Sequence, residues 1–457
     1  MSKISVVTLG CPKNLVDSNG LLEHLIREGF IYTPDTGSAE LVLVNTCGFI
    51  EEAKRESIEE ILKLTRGRKK GGKLLVFGCL AKRYGDALMK EIPEIDGLWG
   101  VGEEEKIVEY CRKVKFGVRS SGSSDEAEQR RITPLTEPDT RNLSSYAYLK
   151  VAEGCSRGCT YCVIPSIRGA YRSVEPERIL RKAEEHIRSG ARELVLVAQD
   201  LGSYGREFRG YALPSLVRAI SSLDGDFWVR LLYLNPSSVS DELLTVVADE
   251  DKVCKYLDIP LQHSEGRILK AMGRGGTRRS VARTIKRIRE AIPGITLRTT
   301  FIVGFPGETE EDFEGLKDFI QEMRFERLGV FAYSREEGTP AAKMKGQVPG
   351  KIMEKRLDQI MRTQSSISLE KNSALVGKRF RVLVDEVDGS VAVGRLSSQA
   401  PEIDGVVIID SAAAQQRSRT AEQRHGSTAV QSLAPGEFVE VEIVEAYDYD
   451  LKGKPIP

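Results

Sequence analysis

Three cysteines, Cys155, Cys159 and Cys162, share one eight-residue stretch, spaced C-x3-C-x2-C directly after an apolar run, Tyr146 to Ala152, that reads as a strand. A loop this short can turn three sulfurs onto one inorganic centre. It supplies no nearby fourth donor: the next cysteine is Cys254, and the next histidine, His186, lies inside a helical pattern. Structural zinc takes four protein ligands in a closed tetrahedron. An iron–sulfur cube can be held by three thiolates, leaving one iron open to a reactant. A zinc knuckle or a purely structural cluster is the blander alternative.

A second trio is spread along the first hundred residues. Leu9-Gly10-Cys11, Asn45-Thr46-Cys47-Gly48 and Phe77-Gly78-Cys79 each place a cysteine just past an apolar run: Ile4–Leu9, Leu41–Val44 and Leu74–Phe77. Helical patterns lie between them. One has Asp17 or Ser18 as N-cap and Leu21, Leu22, Leu25 and Ile26 on one face; the next runs from about Glu51 to Leu64. Strand–helix–strand order implies a parallel sheet with right-handed crossovers. Ligands bind at the carboxyl edge of such sheets, so Cys11, Cys47 and Cys79 should meet on one rim. Three buried small hydrophobes would be the alternative. Cys111, inside a helical pattern, and Cys254, before a strand, read as core residues.

The central stretch must position the first trio. Six strands are expected, at Tyr146–Ala152, Leu194–Ala198, Trp228–Leu234, Tyr256–Pro260, Ile295–Val303 and Leu328–Tyr333. Helices fall between them, two with Pro176 and Pro214 in the first turn. Six β/α units are too few to close an eight-stranded barrel. A charged amphipathic helix is expected over 351–373, followed by short alternating strands at Arg379–Val387, Val391–Gly394, Val406–Asp410 and Phe438–Val444, the pattern of a small β-barrel. The fold class is therefore a multidomain α/β protein with an N-terminal parallel-sheet domain (1–117), a polar linker (118–140), a central open barrel (141–372) and a C-terminal β-barrel (373–445). Residues 412–432 read as a polar, slightly basic insertion.

Lys+Arg and Asp+Glu both total 67, so no global basic excess announces a nucleic-acid partner, though a local patch would suffice. Met1–Val6 lacks the basic region of a signal peptide, and no apolar run approaches the ~20 residues of a membrane span. A cytoplasmic monomer away from membranes is expected, with its thiols reduced.

The first trio's spacing resembles that of radical S-adenosylmethionine (SAM) enzymes. The blocks Leu9–Asn14, Asn45–Phe49 and Phe77–Leu80 resemble the N-terminal domain of the methylthiotransferases of that superfamily. The resemblance spans nearly the whole chain. It implies two [4Fe-4S] clusters, one on Cys155, Cys159 and Cys162 that binds and cleaves SAM, and an auxiliary one on Cys11, Cys47 and Cys79 that carries the sulfur. It also implies an open (β/α)6 barrel and a C-terminal TRAM domain. For SAM contacts it points to Tyr161, Gln199 (beside Asp200), Arg298, Gly304 and Gly307, the glycines lying in Ile302–Glu308. Arg298 could equally form a salt bridge across the barrel, and His263 could face the cavity or serve a structural role.

The wording Cys11–Asn14, Cys47–Ala53 and Ile164–Gly169 resembles the branch acting on an aspartate of small-subunit ribosomal protein S twelve rather than the tRNA-adenosine branch. It implies two SAM per turnover and an electron donor such as flavodoxin or ferredoxin. TRAM barrels commonly bind RNA, which requires Lys and Arg. Here Glu437, Glu440, Glu442, Glu445, Asp448 and Asp450 suggest an acidic outer face suited to a basic protein partner, or simply a solvated one.

Overall fold

The computed structural model describes residues 2–116, 145–410 and 433–456. The expected linker at 118–140 and the insertion at 412–432 lie outside the described residues. The chain divides into two units, Met1–Asn142 with Val163–Gly169, and Leu143–Cys162 with Ala170–Pro457.

The first unit is a three-layer α/β/α sandwich. β1 (Lys3–Thr8), β2 (Ile31–Tyr32), β3 (Leu41–Thr46), β4 (Lys73–Gly78) and β5 (Gly97–Trp99) form a parallel sheet in the order β2-β1-β3-β4-β5. β3 is buried at every position, as a central parallel strand covered on both faces must be. Val42, Val44, Leu74 and Val76 pack on one side against α2 (Glu51–Gly67) and α3 (Cys79–Glu91). Leu41, Leu43, Leu75 and Phe77 pack on the other against α1 (Pro12–Arg27) and α4 (Glu104–Phe116). A short helix, α5 (Ile164–Arg168), joins this unit from the segment after Cys162.

Two expectations change here. The edge strands β2 and β5 are too short to show a periodicity. α1 begins at Pro12 with Cys11 as its N-cap residue, so Asp17 and Ser18 lie inside the helix rather than capping it. The turn before the apolar stripe is helical because Pro12 pre-sets φ and lacks the N–H that would go unpaired. Its buried polar groups have partners: Ser18 Oγ accepts from Asn45 Nδ2 at 3.0 Å.

In the second unit, β6 (Tyr146–Lys150) is followed by β7 (Ala152–Glu153) and β8 (Arg172–Ser173), a separate two-stranded ribbon. Then come α6 (Pro176–Arg188), β9 (Glu193–Val197), α7 (Leu213–Ser221), β10 (Trp228–Leu231), α8 (Asp241–Asp249), β11 (Val253–Asp258), α9 (Gly266–Ala271), α10 (Arg278–Ala291), β12 (Thr296–Val303), α11 (Glu310–Met323) and β13 (Arg327–Ala332). The six long strands form one open parallel sheet, ordered β13-β12-β11-β10-β9-β6. Helix starts carry their own signals: reciprocal capping boxes at Thr277/Ser280 and Thr309/Asp312, the latter followed by Glu310 and Glu311 in the first turn. The apolar strand positions, among them Leu194, Leu196, Val229, Leu231, Leu257, Leu297, Phe301 and Val303, pack against the helices.

α12 (Gly350–Ser373) leads to a closed barrel of β14 (Arg379–Asp388), β15 (Val391–Leu396), β16 (Val407–Asp410), β17 (Phe438–Ala446) and β18 (Leu451–Pro455), ordered β14-β15-β16-β18-β17. β18 lies beyond the expected end at 445. Its Leu-Lys-Gly-Lys-Pro composition is poor strand material, yet Gly453 is required: a Cβ there would meet Val441 Cγ1 at 2.2 Å. The expected acidic face is also corrected. Arg379 stands opposite Glu442, Arg381 opposite Glu440, and Lys454 and Lys452 opposite Glu442 and Glu445. Directly opposed residues share a face, so the carboxylates alternate with cations.

Candidate functional site

In the first unit the three cysteines follow β1, β3 and β4 at the sheet's carboxyl edge. Cys11 precedes α1, and Cys79 opens α3. Their crowding shows in the glycines: a Cβ on Gly10 would lie 2.6 Å from Cys47 Cβ and 3.0 Å from its Sγ, and Gly10 has φ +91°. Asn14 Oδ1 lies 4.0 Å from Cys11 Sγ and 3.9 Å from Cys79 Sγ. The Asn14 amide is fixed by Leu9 O at 2.8 Å and Thr46 O at 3.3 Å. Ser57 Oγ accepts from Cys47 N at 3.0 Å. Burial pushes the Cys47 thiol up to about 12. It also raises Cys79, against the pull of the Arg168 guanidinium.

In the second unit the loop Gly154–Cys162 follows β7 and is tied down at several points. Thr160 N donates to Met272 O at 3.0 Å and its Oγ1 to Ala271 O at 2.8 Å, while Thr160 O accepts from Ala341 N at 2.9 Å. Arg157 Nε binds Asp200 Oδ2 at 2.7 Å. Arg274, half-buried, donates to Pro260 O at 2.6 Å and approaches Cys159 Sγ at 4.0 Å. Burial pushes Cys155 up, opposed by the Arg157 backbone N–H.

Among the described residues no three His, Cys, Asp or Glu side chains close around a single-ion position. Three thiolates on one zinc, with bonds of ~2.3 Å, would stand about 3.8 Å apart. Two trios made of cysteine alone fit an iron–sulfur centre in donor chemistry.

The remaining sequence candidates divide. Tyr161 sits with Phe305, Tyr333, Ile268 and Met272 in one apolar cluster, and burial pushes its phenol up despite nearby Arg274. Gln199 follows β9; its Nε2 donates to Glu153 Oε1 at 2.8 Å, and its Oε1 is buried without a partner. Asp200 Oδ1 is in the same position. Arg298 is committed elsewhere: it pairs with Asp258 and with Asp404 of the small-barrel segment, both at 3.4 Å. These are the ion pairs of the salt-bridge alternative, and Arg298 Nε has no hydrogen-bond partner.

Gly304 and Gly307 have φ +75° and +83°. A Cβ on Gly304 would lie 2.1 Å from Met353 Cγ, so that glycine answers to packing by α12. Gly307 O accepts from Arg267 Nη2 at 2.9 Å. His263 is fully buried; its Nδ1 accepts from Glu265 N at 3.0 Å just before α9, and its Nε2 has no hydrogen-bond partner.

Sequence reading missed Asn14, Glu153, Arg157, Arg168 and Arg274. Arg157 lies within the cysteine spacing itself and Arg274 between glycines, which is weak notice of either.

Glu308 and His263 predict a pH profile. Burial pushes Glu308 up to about 7, although it accepts from Gly304 N at 2.7 Å and from Arg356 at 2.8 Å. Burial holds His263 neutral down to about 3. A raised acid contributes stability that is complete below its ordinary 4.5 and lost as pH rises through 7. A depressed histidine contributes stability complete above 6.5 and lost as pH falls toward 3. The two slopes cancel between 4.5 and 6.5. The denaturant midpoint should therefore be flat near pH 5–6 and fall from about pH 6.5 to 7.5. E308Q should abolish that fall; an E308Q profile parallel to wild type would refute the assignment.

Comparison with known proteins places these features. Residues 149–320 match the Radical SAM superfamily model, residues 3–100 the Uncharacterized protein family UPF0004, and residues 376–456 the TRAM domain. The "Ribosomal protein uS12 methylthiotransferase RimO" of Thermodesulfovibrio yellowstonii is 48% identical over 453 residues, covering 99% of this chain and 99% of its own. The protein of that name from a Thermoanaerobacter species is 43% identical over 462 residues, covering 99% and 100%. Among solved structures, the radical S-adenosylmethionine methyltransferase TsrM from Kitasatospora setae, with cobalamin and a [4Fe-4S] cluster bound, aligns with a TM-score of 0.53. It covers 85% of this chain and 82% of its own at 16% identity, a likeness of fold alone.

Proposed function

This chain belongs to the family of ribosomal protein uS12 methylthiotransferases named RimO, and from that membership we propose how its residues divide the work. It is a radical SAM enzyme and a transferase of a sulfur-containing group. The substrate is ribosomal protein uS12, with the β-carbon of an aspartate as the acceptor. Identity over the full length of its relatives carries this reading.

We assign two clusters to the two trios, Cys155, Cys159 and Cys162 holding the one that binds SAM, and Cys11, Cys47 and Cys79 the auxiliary one. When bound, the clusters supply reductive SAM cleavage and carry the sulfur that becomes the methylthio group. The protein's own contribution is placement. Thr160 pins the cysteine loop to α9. Gln199, its amide anchored on Glu153, leaves a buried carbonyl oxygen unpaired, an acceptor that suits the amino group of SAM. Tyr161 offers an apolar ring beside the loop. Arg274 places a half-buried cation next to Cys159, where negative charge gathers.

An electron donor such as flavodoxin or ferredoxin, a monomeric state and a cytoplasmic location complete the proposal. No helix among the described residues is long and apolar enough to cross a membrane. The test is to incubate the anaerobically reconstituted enzyme, SAM and a strong reductant with uS12 and, separately, with tRNA. A methylthio mass increment on one uS12 aspartate is expected. Modification of tRNA alone would overturn the assignment.

A further inference from the structure

Arg168 is a guanidinium in an unexpected place. It ends α5, belongs to the first unit and is only 8% exposed. Its Nη2 donates to Asn14 Oδ1 at 2.6 Å, and Nη1 and Nη2 both reach Asp17 Oδ2 at 3.2 Å. That Asn14 oxygen is the one lying about equally far from the sulfurs of Cys11 and Cys79. Val163 and Ile167 of the same segment pack directly on Cys79. The segment is therefore built onto the cysteine rim, with its cation turned toward the thiols.

An ordinary ion pair accounts for part of this. A buried cation needs a counter-anion, and Asp17 supplies one. Solvent would serve that pair as well, however, and a site elsewhere on the surface would cost less desolvation. Three thiolates gathered around one iron–sulfur core concentrate negative charge in a poorly solvated place. A fixed cation within hydrogen-bonding reach of that shell lowers the cost of assembling it. Reduction adds another electron, so the same cation stabilises the reduced form more than the oxidised one.

We propose that Arg168 is the countercharge of the auxiliary centre, a positioning residue that, through Asn14 and Cys79, favours cluster retention and raises the centre's reduction potential. The inference rests on the reading that Cys11, Cys47 and Cys79 hold a cluster.

The experiment uses full-length protein in which Cys155, Cys159 and Cys162 are alanines, so that any iron and sulfide belong to the auxiliary site. R168Q and R168K are introduced, and the midpoint potential is followed by spectroelectrochemical titration beside iron and sulfide content. R168Q should shift the midpoint to more negative potential, with R168K between it and the parent. If R168Q fails to keep iron, retention by R168K supports the same conclusion. An R168Q protein with full iron and an unmoved midpoint overturns the proposal. So does equal loss of iron from both variants in folded protein, which would mean that fork geometry and not charge matters. A parent devoid of iron and sulfide would sink the cluster reading itself, and this proposal with it.

Discussion

Alanine at Cys155, Cys159 and Cys162 together is expected to abolish 5′-deoxyadenosine formation and to remove about half of the reconstituted iron and sulfide. The complementary triple variant at Cys11, Cys47 and Cys79 should lose a similar share yet still cleave SAM, while yielding no methylthiolated uS12. The asymmetry follows from the division of labour proposed for the two trios. One must present an open iron to SAM; the other must hold the sulfur to be transferred. A shared single centre would make the two triple variants indistinguishable. Single substitutions should fall nearly as far as the triple ones, because a cube bound by two thiolates has lost a third of its protein ligands, with no fourth cysteine in the loop to take over. The Cys155/Cys159/Cys162 set should leave the fold largely intact, since Cys159 and Cys162 are only partly buried, whereas Cys47 and Cys79 are buried and their set should cost more stability. Iron and sulfide analysis with chromatographic detection of 5′-deoxyadenosine decides the matter. Undiminished SAM cleavage in the Cys155/Cys159/Cys162 variant would defeat the assignment.

What could be read from the chain beforehand tracks how local the cause is. The six core strands announce themselves because each is an apolar run whose helix-facing positions alternate with others, and because the helices between them carry proline or capping-box starts. Cys11, Cys47 and Cys79 could be grouped from sequence because a parallel sheet sends every strand end to the same edge. β18 escaped because Gly453 and Pro455 argue locally against a strand, and only the close approach of Val441 explains the glycine. The start of α1 was misplaced because its first turn buries Lys13 and Asn14, polar residues that carry no apolar stripe. The acidic face of the barrel was misjudged for a related reason: the cations facing Glu440 and Glu442 come from strands at Arg379–Arg381 and Lys454. Arg298 had two readings from sequence, and its choice between them depended on Asp404, a residue more than a hundred positions away. Long-range ion pairing leaves no periodicity in a sequence.

The largest stability effect should come from one such pairing, centred on Glu193 at the start of β9. Both of its oxygens are taken: Oε1 by Arg230 of β10, Oε2 by Arg395 of β15 at 2.5 Å. Arg395 continues into a two-point contact with Asp385 of β14, at 2.7 and 2.9 Å. Glu193 and Arg230 are wholly buried, and Arg395 is 2% exposed. Burial alone would push the Glu193 carboxyl up, but the two guanidiniums outweigh it and hold it below the ordinary carboxylate range. The two arginines and two carboxylates balance, so the group is neutral as a set. Removing one member breaks that balance. E193A would leave two guanidiniums facing each other in a dry pocket, and Arg230 Nη2 already has no partner. Breaking a buried pair in this way costs on the order of 3–5 kcal/mol. E193Q keeps the shape and one acceptor oxygen, so it should cost less than E193A. Because Arg395 reaches Glu193 from the small barrel, the loss should also loosen that barrel from the six-stranded sheet. Early proteolytic release of the C-terminal segment in E193A, with a lowered denaturant midpoint, is the expected result. A midpoint within about 1 kcal/mol of wild type would show instead that water enters and solvates the stranded arginines.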